Sequence, residues 1–420
     1  MKSLVILGST GSIGQQTLDV AAALPERFEV LGLAAGRQID LLLDQVRRFR
    51  PRYVAAADEA ALAARADALR TCGARVISAR ELSTLPEADV VVAATVGHAG
   101  LEPIVAALAA GKDVALADKE AIVAAGPLLA RVARRTGARL LPVDSEPSAI
   151  WQCLQGEVGT PDEPHLATLV GLAPSGRAVA RLILTASGGA FRDWPQGHLS
   201  RVRPADALRH PTWRMGPKIT VDAATMMNKG LEIIEAHWLF GVPYERIEVL
   251  LHRESIVHSL VAFVDGSMKA QCSLPDMRLP IQYALTFPER VARPSVAHLD
   301  LAAVGALSFG HVPPERYPCL SLAREAGQHG GTYPAALSGA NEEAVACFMA
   351  GQVAFTDVAP LVAAALDRHA PVWEPEIDDI RQADELARAV VRERAAAAPQ
   401  PVSAVRAGAE RSDAGAAGSA

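Results

Sequence analysis

Two short groups of polar residues have the composition of a metal site, and the first is Asp144-Ser145-Glu146, which follows a predicted strand at 140–143. Residues two apart on an extended chain point the same way, so both carboxylates can converge on one point. Carboxylate oxygens are hard ligands that suit Mg²⁺ or Mn²⁺ better than Zn²⁺. No Lys or Arg is adjacent in sequence, which favours a bound cation between them. The alternative is that Asp144 or Ser145 caps a helix beginning near Pro147.

The second group lies in a predicted helix at about 226–240. Asn228 and Glu232 would be one turn apart with Lys229 beside them, which places an amide, an ammonium and a carboxylate on one face. Gly230 in mid-helix costs roughly 1 kcal/mol relative to alanine, so close approach of another group explains it better than helix stability does. The alternative is a solvated helix face with an ordinary Lys–Glu contact.

A glycine-rich loop, Gly8-Ser9-Thr10-Gly11-Ser12-Ile13-Gly14, follows the first predicted strand and opens a predicted helix at 15–23. Glycines here permit a tight turn and let backbone N–H groups approach a pyrophosphate at a helix N-terminus. The spacing G-x-x-G-x-x-G is a variant of the usual fingerprint. The loop therefore predicts a dinucleotide site, the alternative being a turn that only serves strand-to-helix packing.

The end of the second predicted strand indicates which dinucleotide binds. Its sequence is Ala34-Ala35-Gly36-Arg37-Gln38, with no acidic residue before Asp40. An NAD site usually has an Asp or Glu here for the ribose hydroxyls, and that carboxylate would repel a 2′-phosphate. A guanidinium can bind the phosphate through paired hydrogen bonds, so NADP is favoured. An ordinary surface arginine is the alternative.

The elements that must position these residues alternate between strands and helices over residues 1–150, which predicts βαβ units and a Rossmann-like parallel sheet. Further segments predict an α+β second domain and a C-terminal α-helical domain. The predicted sheet strands are 4–7, 29–34, 53–57, 76–78, 90–94, 113–116 and 140–143. The predicted organisation is 1–150 for the dinucleotide-binding domain, 151–286 for the α+β domain, 287–312 for a linking arm, 313–397 for the helical domain and 398–420 for a disordered tail.

Composition excludes several other classes of protein. The 420 residues carry a formal net charge of −6, which gives a nucleic-acid partner no electrostatic basis. The five cysteines are far apart and form no C-x-x-C pair, which argues against a disulfide framework and a thiolate zinc site. Neither a signal peptide nor a membrane-length apolar segment is recognisable, so a cytoplasmic location is expected.

Five motifs in order resemble one family. They are the loop 8–14, Leu141-Pro142-Val143-Asp144-Ser145-Glu146, Thr185-Ala186-Ser187-Gly188-Gly189, Arg209-His210-Pro211-Thr212-Trp213-Arg214-Met215-Gly216 and Ala224-Thr225-Met226-Met227-Asn228-Lys229-Gly230-Leu231-Glu232. From residue 1 to about 395 the chain resembles the 1-deoxy-D-xylulose 5-phosphate reductoisomerase family. The resemblance implies NADPH- and divalent-metal-dependent rearrangement and reduction of that substrate to 2-C-methyl-D-erythritol 4-phosphate, in isoprenoid precursor synthesis. It also implies a V-shaped homodimer in which residues 1–150 form the NADPH-binding domain, 151–286 the catalytic domain and 313–397 the C-terminal helical domain.

The resemblance further assigns site residues by position. The metal would be held by Asp144, Glu146 and Glu232, with Lys119 and His210 completing the catalytic set. The substrate would contact Lys119, Ser145, Glu146, Ser187, His210, Trp213, Asn228, Lys229, Glu232 and His258, under a mobile lid at 203–217. NADPH would contact Thr10, Gly11, Ser12, Ile13, Gly36, Arg37, Gln38, Asp118, Glu120 and Gly216.

Two positions depart from the family pattern. Ala223 stands where a serine is usual, so one hydroxyl contact to the substrate phosphate is missing. Asp118 replaces a usual asparagine near the cofactor and adds a negative charge that Lys119 could neutralise. Both departures predict weaker substrate or cofactor binding and leave the reaction unchanged.

Two rival functions stay open at this point. One is an NADP-dependent dehydrogenase of the semialdehyde or homoserine type, and the other is a non-catalytic NADPH-sensing module. Either would leave Asp144, Glu146 and Glu232 without a shared role.

Overall fold

The structure is a computed structural model that describes residues 1–157, 169–170, 178–209, 211–213, 215–292 and 296–397. The chain forms two compact units. The N-terminal unit comprises residues 1–185, 235–248 and 256–307, and the C-terminal unit comprises 186–234, 249–255 and the chain from 308 onward. The predicted 1–150 domain therefore belongs to a larger unit that later segments complete.

A seven-stranded parallel sheet forms the core of the N-terminal unit, in the order β4-β3-β2-β1-β5-β6-β7. Its strands are β1 (Lys2–Leu7), β2 (Phe28–Ala35), β3 (Tyr53–Ala56), β4 (Arg75–Val76), β5 (Val90–Ala93), β6 (Asp113–Leu116) and β7 (Leu140–Pro142). The connecting helices are α1 (Ser12–Ala23), α2 (Ile39–Phe49), α3 (Glu59–Ala63), α4 (Ala66–Thr71), α5 (Ala79–Ser83), α6 (Leu101–Ala109) and α7 (Lys119–Thr136). The predicted α/β class and parallel sheet are confirmed.

Strand order reverses at β1, which pairs with β2 on one side and β5 on the other. In open α/β sheets, ligands bind beyond the carboxyl ends of the strands at such a point. Leu4, Val5 and Ile6 of β1 are fully buried, which explains their apolar run. The loop after β1 is thus held at the position where a dinucleotide would bind.

One predicted strand is displaced from its expected bounds. The segment expected at 76–78 is strand only at 75–76. Ser78 instead caps α5, since its hydroxyl accepts from the Glu81 N–H while the Glu81 carboxylate accepts from the Ser78 N–H. This capping box ends the extended backbone before Ser78.

A second sheet contains five strands in the order β11-β10-β8-β9-β12. The strands are β8 (Val179–Ala186), β9 (Ile247–Leu251), β10 (Val257–Phe263), β11 (Met268–Cys272) and β12 (Gly310–His311). The helices between and around them are α8 (Ser145–Cys153), α9 (Pro204–Ala207), α10 (Pro217–Thr225), α11 (Met227–Phe240), α12 (Arg278–Thr286) and α13 (Leu301–Val304). The predicted linking arm at 287–312 thus contains one short helix and one short strand.

Helices dominate the last part of the C-terminal unit, as predicted. They are α14 (Pro318–His329), α15 (Tyr333–Met349), α16 (Val358–Asp367) and α17 (Ile377–Ala397). A Cβ on Gly230 of α11 would lie 2.4 Å from the Cβ of Ala323 on α14, so the glycine permits close packing. The expectation that another group approaches Gly230 is confirmed. The predicted tail at 398–420 lies outside the described residues. Among the residues that the structure describes, no helix is long and apolar enough to cross a membrane.

Candidate active site

Asp144 and Glu146 lie at the junction between β7 and α8. The Asp144 carboxylate accepts from the Ser145 N–H at 3.0 Å, so Asp144 is the N-cap of α8, which begins at Ser145 and not near Pro147. Glu146 is therefore helical. The expected convergence of the two carboxylates is confirmed, since one oxygen of each lies within 4.8 Å of the other, but the expected extended backbone was wrong, because the cap ends the strand between them. Both acids instead lie at a helix N-terminus, where the macrodipole favours negative charge.

Lys119, the first residue of α7, supplies a cation beside these acids. Its Nζ lies 2.5 Å from Oδ2 of Asp144, and the two side chains are 7% and 13% exposed. This lysine is not adjacent to the acids in sequence, since it comes from a different βα junction of the same sheet edge. Ser145 donates its hydroxyl to the Glu146 carboxylate at 2.5 Å. These contacts fix both carboxylates in place and offset one of their two charges.

In the C-terminal unit, α11 forms the predicted group on one helix face. Asn228 Nδ2 donates to Oε1 of Glu232, and Lys229 Nζ donates to Oε2. Glu232 is fully buried and Lys229 is 5% exposed, which excludes the solvated-face alternative. Hydrogen bonds between charged groups in such surroundings are stronger than neutral ones. The carboxylate of Glu232 is thus held rigidly without solvent.

The Ser187-Gly188-Gly189 turn packs against α10. Gly188 and Gly189 have φ values of +83° and +72°, a region that favours glycine. A Cβ on Gly189 would lie 2.5 Å from the carbonyl oxygen of Ala223, and the Ser187 hydroxyl accepts from the Gly189 N–H at 3.2 Å. Tyr317 donates its hydroxyl to the Gly188 carbonyl at 3.2 Å. The turn therefore lies directly against Ala223.

The glycine-rich loop requires glycine at its first and last positions. Gly8 has φ +82°, and a Cβ there would lie 2.2 Å from the Ala94 carbonyl oxygen. A Cβ on Gly14 would lie 2.2 Å from the carbonyl oxygen of Gly8. Ser9 donates its hydroxyl to Gln45 of α2 at 2.7 Å, and Gln45 donates back to the Ser9 carbonyl at 2.8 Å. The loop is closely packed from both sides and fixed to α2.

A cavity of about 740 Å³ opens beside this loop. Gly8 and Gly36 line it at the ends of β1 and β2, and Thr95 lines it after β5. Its size is within the usual range for small-molecule sites. Arg37 and Gln38 are exposed where β2 ends, so the Arg37 guanidinium can reach a charged group beside the cavity. Nearer the loop, Thr10 is buried, whereas Gly11 and Ile13 are half-buried and Ser12 is exposed.

Asp118 is buried at the start of α7, where it is the N-cap. Thr95 donates its hydroxyl to Oδ2 of Asp118 at 2.5 Å, and the Ala121 N–H donates to Oδ1 at 3.3 Å. The Lys119 ammonium lies against Asp144, as described above. Two donors therefore stabilise the Asp118 carboxylate. Glu120, the next predicted cofactor contact, is half-buried in the first turn of α7.

The remaining predicted residues have separate positions. His210 lies outside the described residues, and so does Arg214 of the predicted lid. Trp213 is half-buried, and Gly216 is the exposed N-cap of α10. His258 of β10 is 5% exposed, and its Nε2 lies 3.2 Å from the Ser273 carbonyl oxygen.

Sequence reasoning missed Gln45 and Thr95. Each binds the candidate cofactor site from a distant part of the chain: Gln45 bonds to Ser9 of the glycine-rich loop, and Thr95 bonds to Asp118, a predicted cofactor contact. Neither belongs to a recognisable motif. The sole signal was the position of Thr95 directly after a predicted strand of the parallel sheet, where ligand-binding residues collect.

Comparisons with known proteins agree along most of the chain. The family model described as 1-deoxy-D-xylulose 5-phosphate reductoisomerase matches residues 4–126, and two models of C-terminal domains of the same enzyme match 140–240 and 272–390. The chain belongs to this family. It is 53% identical over 393 residues to the reductoisomerase of Thermomicrobium roseum, covering 92% of this chain and 96% of the relative.

Solved structures of the family have the same fold. The Zymomonas mobilis reductoisomerase in complex with NADPH has a TM-score of 0.84 and 37% identity, covering 94% of this chain and 99% of that one. A reductoisomerase complex with NADPH, fosmidomycin and magnesium has a TM-score of 0.86 and 36% identity, covering 94% and 98%. The predicted family, fold class and enzyme class are confirmed.

Proposed function

We propose that this chain converts 1-deoxy-D-xylulose 5-phosphate and NADPH into 2-C-methyl-D-erythritol 4-phosphate and NADP⁺, with a divalent metal ion. The observation that carries the proposal is the family match, which extends over residues 4–126, 140–240 and 272–390 and so includes every predicted site residue except His258. The two rival functions do not account for that match.

Of the predicted site residues, only His258 lies between the matched segments. Asp144, Glu146 and Glu232, which neither rival function requires together, all fall within them. The reductoisomerase reaction is therefore the function that gives these three carboxylates a common purpose.

Asp144, Glu146 and Glu232 are the proposed ligands of the metal ion. Their donor set suits Mg²⁺ or Mn²⁺, because all three supply hard carboxylate oxygens. Burial of Glu232 fits this role, since a buried carboxylate is retained where it is paired or binds a metal. A relative's structure contains magnesium. Such an ion polarises a ketone and a neighbouring hydroxyl and stabilises the negative charge that develops on their oxygens.

The proposed NADPH site is the cavity beside the glycine-rich loop. A Cβ on Gly8 or Gly14 would meet backbone atoms, so these glycines permit the tight turn that leads into α1, whose N-terminus can bind a pyrophosphate. Arg37 is the proposed partner of the 2′-phosphate at the exposed end of β2. This arrangement fits NADPH better than NADH, since no acidic side chain stands at that strand end.

The proposed substrate site uses the hydrogen-bond donors that the family resemblance assigns to the substrate. Ser187, Asn228 and Lys229 would bind the phosphate, which fixes the carbon skeleton for reaction. Lys119 and Ser145 would contact the reacting hydroxyls, with His210, Trp213 and His258 also contacting the substrate. Lys119 and Lys229 each carry a carboxylate partner in the described structure, so both ammonium groups are already oriented.

We also propose that the enzyme is a cytoplasmic homodimer, on the strength of the family resemblance. Sedimentation equilibrium of the purified chain would test the assembly. A single species with the mass of one chain at micromolar concentration would contradict it.

The decisive experiment follows oxidation of NADPH by purified protein with 1-deoxy-D-xylulose 5-phosphate and Mg²⁺, with product identified by mass spectrometry. Parallel samples contain NADH in place of NADPH, or EDTA. We expect metal-dependent oxidation of NADPH and a much slower reaction with NADH. Absence of turnover in protein that demonstrably binds NADPH would refute the proposed function.

A pair of variants tests the metal assignment. Glu232→Gln removes a proposed ligand and should lower kcat at least about a hundredfold, because the metal contributes several kcal/mol of charge stabilisation. Asp384→Asn is the matched control, since Asp384 is also a buried carboxylate bonded to a cation, Arg388. Equal losses in the two variants would show that burial of a charge, and not metal binding, explains the effect.

A further inference from the structure

Asp222 is a buried carboxylate in the helix that joins two predicted parts of the active site. It lies in α10, and its side chain is 1% exposed. This helix begins after Gly216, a predicted cofactor contact, and ends at Met226, whose backbone is left-handed with φ +61°. That reversal leads directly into Asn228 and Lys229 of α11. A displacement of α10 would therefore move the proposed phosphate-binding residues with it.

The Asp222 carboxylate has two partners, the ammonium of Lys218 and the side-chain amide of Asn341. Lys218 Nζ lies 2.9 Å from Oδ2, and Asn341 Nδ2 donates to Oδ1 at 2.8 Å. Lys218 is one turn earlier on the same helix, so its bond does not fix α10 against anything else. Asn341 belongs to α15 and is fully buried. Of the two bonds, the one from Asn341 is therefore the one that anchors α10 to a neighbouring helix.

The side-chain oxygen of Asn341 is unfavourable for the stability of the core. Its Oδ1 has no hydrogen-bond partner among the residues that the structure describes. A buried amide oxygen without a donor is destabilising, and an apolar side chain would avoid that cost. The amide nitrogen must face Asp222, because an ionised carboxylate only accepts hydrogen bonds. The hydrogen bond to Asp222 is the favourable interaction that an asparagine makes here and an apolar side chain could not make.

The second proposed phosphate-binding segment also depends on the position of α10. A Cβ on Gly189 would lie 2.5 Å from both the Ala223 carbonyl oxygen and the Ala224 Cα. The Ser187 turn therefore rests on the α10 backbone directly after Asp222. Burial, together with the nearby Asp222 carboxylate, raises the pKa of the Cys319 thiol to about 12, so Cys319 stays neutral beside Asp222.

We propose that Asn341 is a positioning residue for the phosphate site. Through Asp222 it fixes α10, and thereby the spacing between the Ser187 turn and the Asn228–Lys229 pair. The inference rests on the proposed function, from which the phosphate roles of those residues come. Asn341 contacts no substrate itself. Its loss weakens substrate binding, leaves NADPH binding intact and changes kcat less than KM.

The test compares Asn341→Ala with wild-type protein. Substrate affinity is measured by titration calorimetry with Mg²⁺ and without NADPH, and NADPH affinity is measured separately by nicotinamide fluorescence. We expect substrate binding about tenfold weaker and NADPH binding within about twofold. Glu342→Ala is the control, because Glu342 is the next residue of α15 but accepts from Arg388 instead of contacting α10. Its substrate affinity should match wild type.

Exchanging the side chains of Asn341 and Asp222 distinguishes a positioning role from a general effect on the stability of the fold. Asn341→Asp places a second carboxylate against Asp222 and should weaken substrate binding at least as much as the alanine variant. The double variant Asn341→Asp with Asp222→Asn restores a donor–acceptor pair and should recover most of the affinity. This comparison also decides the matter if Asn341→Ala does not fold.

Three results would overturn the inference. They are unchanged substrate affinity in a folded Asn341→Ala protein, equal losses of substrate and NADPH affinity, and failure of the swap to recover binding. Wild-type protein that bound the substrate without oxidising NADPH would contradict the proposed function instead, and would leave the binding comparison intact.

Discussion

Replacing Gly230 by alanine sets two effects of similar size against each other. Helix propensity favours alanine by about 1 kcal/mol. The new Cβ would, however, lie 2.4 Å from the Cβ of Ala323, whereas non-bonded carbons are ordinarily about 3.5–4.0 Å apart. Ala323 is fully buried and has no side-chain torsion that could relieve the contact. The helices α11 and α14 must then separate by about 1 Å.

Overpacking of this kind costs roughly 1–3 kcal/mol, so the free energy of unfolding should change by between about zero and a loss of about 2 kcal/mol. The separation also displaces Lys229 and Glu232, which flank the substitution, so the KM for substrate should rise. Urea unfolding followed by tryptophan fluorescence measures the first effect, and steady-state kinetics measures the second.

The double variant Gly230→Ala with Ala323→Gly removes the clash while keeping the new alanine. A double-mutant cycle should therefore give a favourable coupling energy of about 1–3 kcal/mol, together with recovery of KM. The reasoning would be refuted by a Gly230→Ala protein about 1 kcal/mol more stable than wild type, with no coupling to Ala323.

Three further predictions concern single side chains. Ala223→Ser should lower the KM for substrate severalfold by adding a hydroxyl donor beside the Ser187 turn, and an unchanged KM would count against a phosphate at this position. Arg37→Glu should reduce the ratio of kcat/KM for NADPH over NADH at least about tenfold, whereas Arg48→Glu, an exposed control on α2, should leave the ratio unchanged. In native protein at about pH 8, iodoacetamide should label exposed Cys272 well before Cys319, whose pKa of about 12 leaves almost no thiolate, and equal labelling rates by mass spectrometry would contradict this.

Local patterns in the sequence predicted what depends on neighbouring residues. The strand, glycine loop and helix at the N-terminus follow from an apolar run and from glycines at fixed offsets. The Asn228–Glu232 contact follows from helical spacing, and close packing at Gly230 follows from the cost of glycine in a helix. Each of these inferences needed only one element and its periodicity.

Contacts between distant segments could not be predicted in this way. Lys119 pairs with Asp144 because β6 and β7 are adjacent and both end at the same sheet edge, which no local pattern states. Asn341 reaches Asp222 through the packing of two helices far apart in sequence. The wrong backbone conformation expected for Asp144–Glu146 has a different source. The strand was expected to continue through Glu146, whereas the helix cap at Asp144 ends it.

The interleaving of the two units has a consequence for synthesis on the ribosome. Lys2 Nζ donates to the Leu285 carbonyl at 2.9 Å, and Trp151 packs edge-on against Tyr283 with ring centroids 4.8 Å apart. At about 5–20 residues per second, roughly 15–60 s separate the emergence of residue 2 from that of residue 285. Residues 186–234 emerge in the meantime although they belong to the other unit. Helix α1 and strands β6 and β7, which pack against α12, therefore remain partly uncovered until α12 is made. The N-terminal unit, though begun first, is completed only after most of the chain has been made.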